Sequence, residues 1–338
     1  MLNDLVWPND LCEPVIITYN RAPQLDQTLA AFAALNDKHM ICHVLDNCST
    51  DDTAEIVATW QRQWPGLRYH RNVYNIGGNA NILRALELTN SVYAWVIGDD
   101  DVWHLEYIQP LIEALIAQKA DIIRLGWLVS EKFADTTADA NIIMQHESFF
   151  FASLSMISAT IARRDLMTAH LNWAYQNICY AYPHLVPYMR AFQERPLSVY
   201  SLKDAVITHT PSQEPGYFLG DLEWYVTWFQ TARFLKEKHH RKMFIAEIVR
   251  YMVRPKKGAF LEFFWLLKVA LNAKAQGISQ GYYLMELLML GIGWRLRLVA
   301  LILLYACFPS RLARGLRRLY FYLKKKEWKE LQYDRSRL

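Results

Sequence analysis

Three carboxylates stand side by side at Asp99-Asp100-Asp101, directly after Gly98 and the apolar run 92–97. Adjacent carboxylates repel one another, so a folded chain must offer them cations or strong donors. Hard oxygen ligands at the end of a buried segment suit Mg²⁺ or Mn²⁺, and such an ion in turn clamps phosphate oxygens. Taken alone, the triplet also reads as a solvated acidic turn. Three further polar clusters accompany it. Thr18-Tyr19-Asn20-Arg21 closes the apolar run that begins at Pro14. Asp46 opens Asp46-Asn47-Cys48-Ser49-Thr50-Asp51-Asp52-Thr53 after the apolar run 41–45. Asn75-Ile76-Gly77-Gly78-Asn79 follows a third short run at 67–71. These glycines are not a dinucleotide fingerprint: GxGxxG is missing, and the loop sits at the third strand–helix junction instead of the first.

The elements between these clusters have a simple rhythm. Strands are expected at 14–19, 41–45, 67–71 and 92–97. Helices are expected at 23–36, where Leu25, Leu29, Phe32 and Leu35 keep helical spacing, at 53–64 behind a run of capping residues, and at about 80–88. This β-α-β-α-β-α-β alternation favours a parallel sheet flanked by helices. Asn20, Asp46 and Asp99–Asp101 then all fall at strand carboxyl ends, where open α/β sheets bind ligands. Farther on, the pattern gives a helix at about 107–119, a strand at 121–128, a loop at 130–147, a last strand at 199–209 and helices at 222–253 and 258–276.

Together the four clusters identify a likeness. TYNR (Thr18 to Arg21), DNxSTDxT (Asp46 to Thr53), NxGG (Asn75 to Gly78) and the aspartate-x-aspartate element occur in an order and spacing that resembles the nucleotide-sugar-binding half of family 2 glycosyltransferases, over about residues 13–125. The detail AWVIGDDD resembles the branch holding abequosyltransferase-type enzymes of O-antigen and lipopolysaccharide synthesis, and the segments from Ser158 to Arg164 and Tyr182 to His184 add to it. The resemblance implies an α/β fold of GT-A type, a Rossmann-like nucleotide-sugar-binding sheet with flanking helices. It implies that Thr18, Asn20 and Arg21 line the base and ribose pocket and that Asp46 meets the nucleobase. The NxGG loop, through Asn75 and Gly77, and Asp100 would face the donor. Asp99 would face ribose or metal, and Asp101 would hold the Mn²⁺ or Mg²⁺ bridging the diphosphate. Such an ion would stabilise the charge that develops on the leaving nucleoside diphosphate.

The acceptor side needs a base near the attacked hydroxyl. Asp165, Glu194, Asp221 and Glu223 are the candidates, the last two behind a Pro/Gly loop (Pro215, Gly216, Gly220) able to act as a hinge. Acidic residues are equally at home at a helix N-terminus. His209, ending the last expected strand, is a candidate metal or diphosphate ligand by the same resemblance. His184, among Tyr180, Tyr182 and Tyr188, is placed to face an acceptor sugar, although core packing accounts for most such rings.

Composition sets the partners. The chain has 338 residues, 53% hydrophobic and 21% charged, which excludes a disordered chain and an ordinary polytopic membrane protein. Five cysteines without CxxC spacing make a disulfide framework or zinc-thiolate site unexpected, and the acidic segment 1–10 does not read as a secretory leader; a reducing cytosolic setting follows. From Arg295 onward there are 12 Lys or Arg and 3 Asp or Glu, leaving 25 basic and 30 acidic residues in the rest. The apolar stretch 282–308 carries Glu286, Arg295 and Arg297, too many charges for a clean span. With the arginines beyond it, the segment 282–330 reads as interfacial helices with basic faces toward anionic lipid, or as a core helix with a solvated basic tail. Nucleic acid is not an expected partner, because the body is acidic.

The domains expected are therefore a catalytic unit at 1–220, with a nucleotide-sugar half at about 13–125 and an acceptor half at 126–220, and a helical, membrane-associating region at 221–338. The function expected is metal-dependent transfer of a sugar from a nucleoside-diphosphate donor to a lipid-linked saccharide, in the cytoplasm, peripheral on the inner face of the cytoplasmic membrane. The competing class is a membrane-associated scaffold with a degenerate transferase fold; the intact set Asp46, Asp99 and Asp101 counts against it.

Overall fold

The computed structural model describes residues 6–126, 128–203, 206–208, 227–252 and 295–323, together with 267, 270, 271, 274, 275 and 285. These residues form two compact units. The first holds everything described up to Ile178 and from Tyr182 to Thr208; the second holds Cys179–Ala181 and everything described from Thr227 on.

The first unit opens with β1 (Cys12–Thr18), α1 (Ala22–Ala33), β2 (Cys42–Asp46), α2 (Thr53–Gln61), β3 (Leu67–Arg71), α3 (Gly78–Ala85) and β4 (Tyr93–Gly98), as the periodicity predicts. β1, β2, β3 and β4 are parallel, in spatial order β3-β2-β1-β4. Strands buried along nearly their whole length explain the continuous apolar runs. The aromatic content has a structural use. Trp7 stacks on Trp95, and Trp95 and Trp103 pack with Phe32 beneath the sheet. The buried indole N–H groups of Trp7, Trp64 and Trp95 donate to the carbonyls of Cys12, Met40 and Ser158, so these rings bring apolar area without an unsatisfied donor.

Beyond β4 come β5 (Val102–Trp103), a 3₁₀ turn at Leu105–Tyr107, α4 (Gln109–Ile116) and β6 (Ile122–Leu125). The helix expected from 107 starts at Gln109, with Pro110 in its first turn, and ends at Ile116. The stretch 130–147, expected as a loop, is not one. It holds a 3₁₀ turn at Glu131–Phe133, β7 (Thr136–Asp139) and α5 (Ala140–His146), which Asp139 caps by accepting from Asn141 N. β7 is an edge strand half open to solvent, so it needs no apolar alternation to form. Next are α6 (Phe150–Ser155), β8 (Thr160–Arg163), α7 (Arg164–Thr168), α8 (Leu171–Gln176), α9 (Leu185–Ala191), β9 (Ser198–Leu202) and β10 (Ile207–Thr208). The single strand expected at 199–209 is thus two: β9 joins the main sheet, whereas β10 pairs antiparallel with β5. The main sheet runs β3-β2-β1-β4-β8-β6-β9-β7, and its second half is mixed, not parallel.

One buried ion pair ties that second half together. Arg124 and Glu147 have side chains 1% and 2% exposed. Arg124 Nη1 and Nη2 donate to the two Glu147 oxygens at 2.6 and 3.1 Å, and the guanidinium also reaches Ser153 and Ser201. Glu147 accepts a further bond from Ser130 N at 3.0 Å. Every face of the pair is met, as a buried charge requires.

His184 does not face a sugar. It is buried, and its Nε2 donates to the carbonyl of Ser155 at 3.0 Å, a core role. Burial pushes its pKa from 6.5 down to about 4. Between those two values the unfolded chain takes up a proton that the fold refuses. Stability is therefore complete above about pH 6.5 and falls as pH drops toward about 4, by roughly 3 kcal/mol from this group. His184→Gln keeps a donor for the Ser155 carbonyl but cannot titrate. Denaturant unfolding across this window should give a flatter pH dependence for the variant than for the parent; equal slopes would show that His184 is charged in the fold.

In the second unit the single helix expected at 222–253 is broken. Thr227–Gln230 is helical, a 3₁₀ turn covers Thr231–Phe234, and Leu235 is extended and buried before α10 (Lys238–Met252) begins. Turning the chain there buries Leu235 and lays Arg233 over the rings of Tyr180 and Phe234. α11 (Arg295–Cys307) and α12 (Ser310–Leu323) are its other described helices of more than two residues. Most of the helix expected at 258–276 lies outside the described residues.

Candidate functional site

The chain runs from β1 outward to β2 and β3, then crosses back to place β4 on the other side of β1. The crevice at the carboxyl ends of β1 and β4 is therefore the switch point of the sheet, the place where open α/β folds bind ligands. Arg21, after β1, reaches across it. Its Nη1 lies 3.2 Å from Asp99 Oδ1 and 2.6 Å from Asp100 Oδ2. Two of the three adjacent carboxylates thus share one guanidinium, which offsets their mutual repulsion.

The acidic turn is held from below. Ser158 Oγ accepts from Gly98 N at 2.8 Å, and Thr28 Oγ1 donates to the Asp99 carbonyl at 3.1 Å. A Cβ on Gly98 would lie 3.3 Å from Asp100 Oδ1, 3.4 Å from Ser158 Oγ and 3.6 Å from Asp101 Oδ2. Glycine therefore lets the carboxylates fold back over the strand end. Sequence reasoning did not single out Ser158 or Thr28 for this role; the motif containing Ser158 was the only signal. Asp99 is buried, and burial pushes its pKa up to about 6 although Arg21 pulls the other way. Its Oδ2 and the Thr18 hydroxyl are both sealed from solvent, and Thr18, like Arg21, favours the charged carboxylate against the effect of burial.

The rim of the crevice is a network of side chain to backbone bonds. Asn20 sits in the left-handed region (φ 52°), which asparagine tolerates better than most residues. Its Oδ1 accepts from Thr50 N at 2.7 Å, and its own N–H donates to Ser49 Oγ at 2.9 Å. Asp51 accepts from Ala22 N and from Thr53, which joins the start of α1 to the start of α2. Asp46, on the sheet level of Thr18 and Arg71, is fully buried. Its Oδ1 accepts from Ser49 N at 2.8 Å and its Oδ2 from the Tyr69 hydroxyl at 2.7 Å. A base contact from Asp46 would require its surroundings to open, because the carboxylate is closed off from solvent.

The NxGG loop is fixed the same way. Asn47 Nδ2 donates to Asn75 Oδ1 at 2.7 Å, and Asn75 Oδ1 also accepts from Gly77 N. Asn47 Oδ1 takes Asn72 Nδ2 and Ile76 N. Gly77 adopts φ 83° and ψ 156°, a conformation essentially confined to glycine. Asn75 and Gly77 therefore shape the loop, and what the loop presents outward is the exposed trio Val73, Tyr74 and Ile76.

Thr18, Asn20, Arg21, Asp46, Asn75, Gly77, Asp99, Asp100 and Asp101 are thus gathered at one end of β1, β2 and β4. Asp221, Glu223 and His209 lie outside the described residues. Asp165 pairs with Arg163 and Glu194 with His170. Among the described residues no group of three or more His, Cys, Asp or Glu converges on a metal position. The donor set still suits a hard cation. Mg²⁺ is commonly held by one or two carboxylates plus substrate phosphates and water, and the turn offers Asp101 and Asp100, both partly exposed, beside the buried Asp99.

The comparisons with known proteins agree with this geometry. Residues 15–193 match the model of glycosyl transferase family 2. An abequosyltransferase of Salmonella typhimurium LT2, RfbV, is 32% identical over 111 residues, 32% of this chain and 33% of that protein; the match spans about a third of that relative. Among solved structures, S. aureus TarS 1–349 superposes with a TM-score of 0.54 at 16% identity, covering 94% of this chain and 93% of that one. The mannosyltransferase PcManGT from Pyrobaculum calidifontis, solved with GDP-Man and Mn²⁺, gives 0.51 at 14% identity, covering 94% and 92%. These likenesses carry the fold, an α/β sheet of the GT-A kind.

Proposed function

This chain belongs to glycosyl transferase family 2, and from that premise we propose that it transfers a sugar from a nucleoside-diphosphate donor to a saccharide acceptor with the help of Mn²⁺ or Mg²⁺. The observation that carries the reading is the crevice between β1 and β4, with Arg21 facing Asp99 and Asp100 across it. A nucleoside diphosphate is the ligand that uses both signs of charge there. Arg21 meets phosphate oxygens, and the carboxylates accept the divalent ion that the diphosphate brings with it.

The residues divide the work. Asn20, Cys48 and Thr50 offer the accessible wall on which base and ribose rest; Thr18 backs it from within the strand end, and Asp46 keeps it in shape through Ser49 and Tyr69. Asp101 is the metal-side carboxylate, and Asp99, closed in by Arg21, sets the turn. When bound, the ion supplies positive charge to the departing diphosphate. Arg21 adds a second positive charge at the same place once it exchanges its carboxylate partners for phosphate. The acceptor, in this proposal, is a lipid-linked saccharide of surface polysaccharide synthesis. The likeness to RfbV, an abequosyltransferase, supports sugar transfer as the activity. Calorimetric titration with UDP, CDP, GDP and TDP tests the donor half: one of them should bind, and bind with Mn²⁺ present.

A further inference from the structure

We propose that α12 and the end of α11 form a peripheral docking surface for an anionic lipid bilayer, with α12 lying in the plane of the interface. In α12, Leu312, Leu316, Leu319 and Leu323 recur at spacings of four, three and four and so share one face. That face is turned to solvent: these leucines are 50%, 49%, 51% and 69% exposed, and Tyr322 beside them is 81% exposed. Among the described side chains of α12, those that turn inward are instead Ala313 and Arg317. A helix recruited only to close a core would show the opposite arrangement.

One side of the leucine stripe is basic, with Arg311 and Arg318 nearest to it and Arg314 farther round the helix. Arg311, Arg314 and Arg318 are exposed, and Ser310–Leu323 contains no acidic residue. An apolar face with arginines along one side matches acyl chains overlaid by anionic headgroups. The exposed apolar surface continues on α11 at Val299, Leu303 and Leu304. Among the described residues no single helix is long and apolar enough to cross a membrane, and the chain bends by 93° between α11 and α12. That bend lets α12 lie along a surface while the preceding turn of α11 points into or away from it. The proposed occupant is a bilayer surface, against which α12 lays its leucine face. The arrangement is independent of the sugar-nucleotide chemistry.

The test is co-sedimentation of the full chain, without sugar nucleotide, with vesicles of phosphatidylcholine containing phosphatidylglycerol and with vesicles of phosphatidylcholine alone. The parent chain should pellet with the anionic vesicles and far less with the neutral ones. Replacing Leu312, Leu316 and Leu319 by Ser should abolish pelleting. Replacing Arg311, Arg314 and Arg318 by Gln should weaken binding by about fivefold per residue and reduce its sensitivity to salt. All six positions are exposed, so circular dichroism should confirm an unchanged fold. Equal pelleting of parent and leucine variant would overturn the proposal. So would a parent chain that ignores both vesicle types but sediments as a dimer through this face, since the occupant would then be a second copy. Nucleotide binding is read separately and is not affected by either outcome.

Discussion

Asp101→Asn should reduce sugar transfer by at least about 10²-fold while leaving the protein folded. The substitution keeps the size of the side chain and removes its charge. Positive charge beside a leaving diphosphate is worth several kcal/mol of transition-state stabilisation, and a carboxamide is a poor ligand for a hard cation. Asp101 is partly exposed, whereas Asp99 is buried against Arg21. The Asp101 variant should therefore lose activity with little change in thermal unfolding, and Asp99→Asn should lose both. Turnover measured against Mn²⁺ concentration checks the assignment. A variant with parental turnover and parental metal dependence would remove Asp101 from the metal site.

Glu147→Ala should cost about 3–5 kcal/mol of stability, the usual result of leaving one member of a buried ion pair without the other. Arg124 would retain Ser153 and Ser201 but lose both carboxylate bonds, with its guanidinium still closed off from water. The pair connects β6, α6, β9 and the segment at Ser130, so its loss should loosen the second half of the sheet as a unit. Because the single variant can fail to accumulate, the informative comparison is Arg124→Met with Glu147→Leu. Removing both charges together should recover most of the lost stability. Denaturant midpoints of the parent, the Glu147→Gln variant and the double variant decide it. A Glu147→Gln variant within about 0.5 kcal/mol of the parent would mean the pair is hydrated.

The first four strands and three helices were legible because each is a short apolar run or a 3.6-residue pattern cut off by capping and turn residues. The site was legible for a related reason. Polar clusters at strand ends had to meet wherever β1, β2 and β4 lay side by side. What the sequence did not disclose were the partners inside the site. Nothing about Arg21 marked it as the counter-charge of Asp99 and Asp100, and nothing about Tyr69, in a partly exposed edge strand, marked it as the hydroxyl that closes Asp46. The second half was harder because its elements are short. Helices of five to seven residues show barely two turns of periodicity, and β7 (Thr-Thr-Ala-Asp) sits at an edge where hydrogen bonding to β9 outweighs side-chain pattern. His184 misled for a different reason. Its aromatic neighbours fit an acceptor platform as well as they fit a core, and only burial distinguishes the two.

The donor titration tests the central claim most directly. The intact chain is titrated calorimetrically with UDP, CDP, GDP and TDP, each with and without Mn²⁺. Saturable binding of one nucleotide, present with Mn²⁺ and strongly weakened without it, is the predicted result, and it would restrict the sugar to donors carrying that nucleotide. Absence of binding by all four in the presence of Mn²⁺, in a protein whose unfolding remains cooperative, would contradict it and make the Arg21–Asp99–Asp100 cluster a structural clamp.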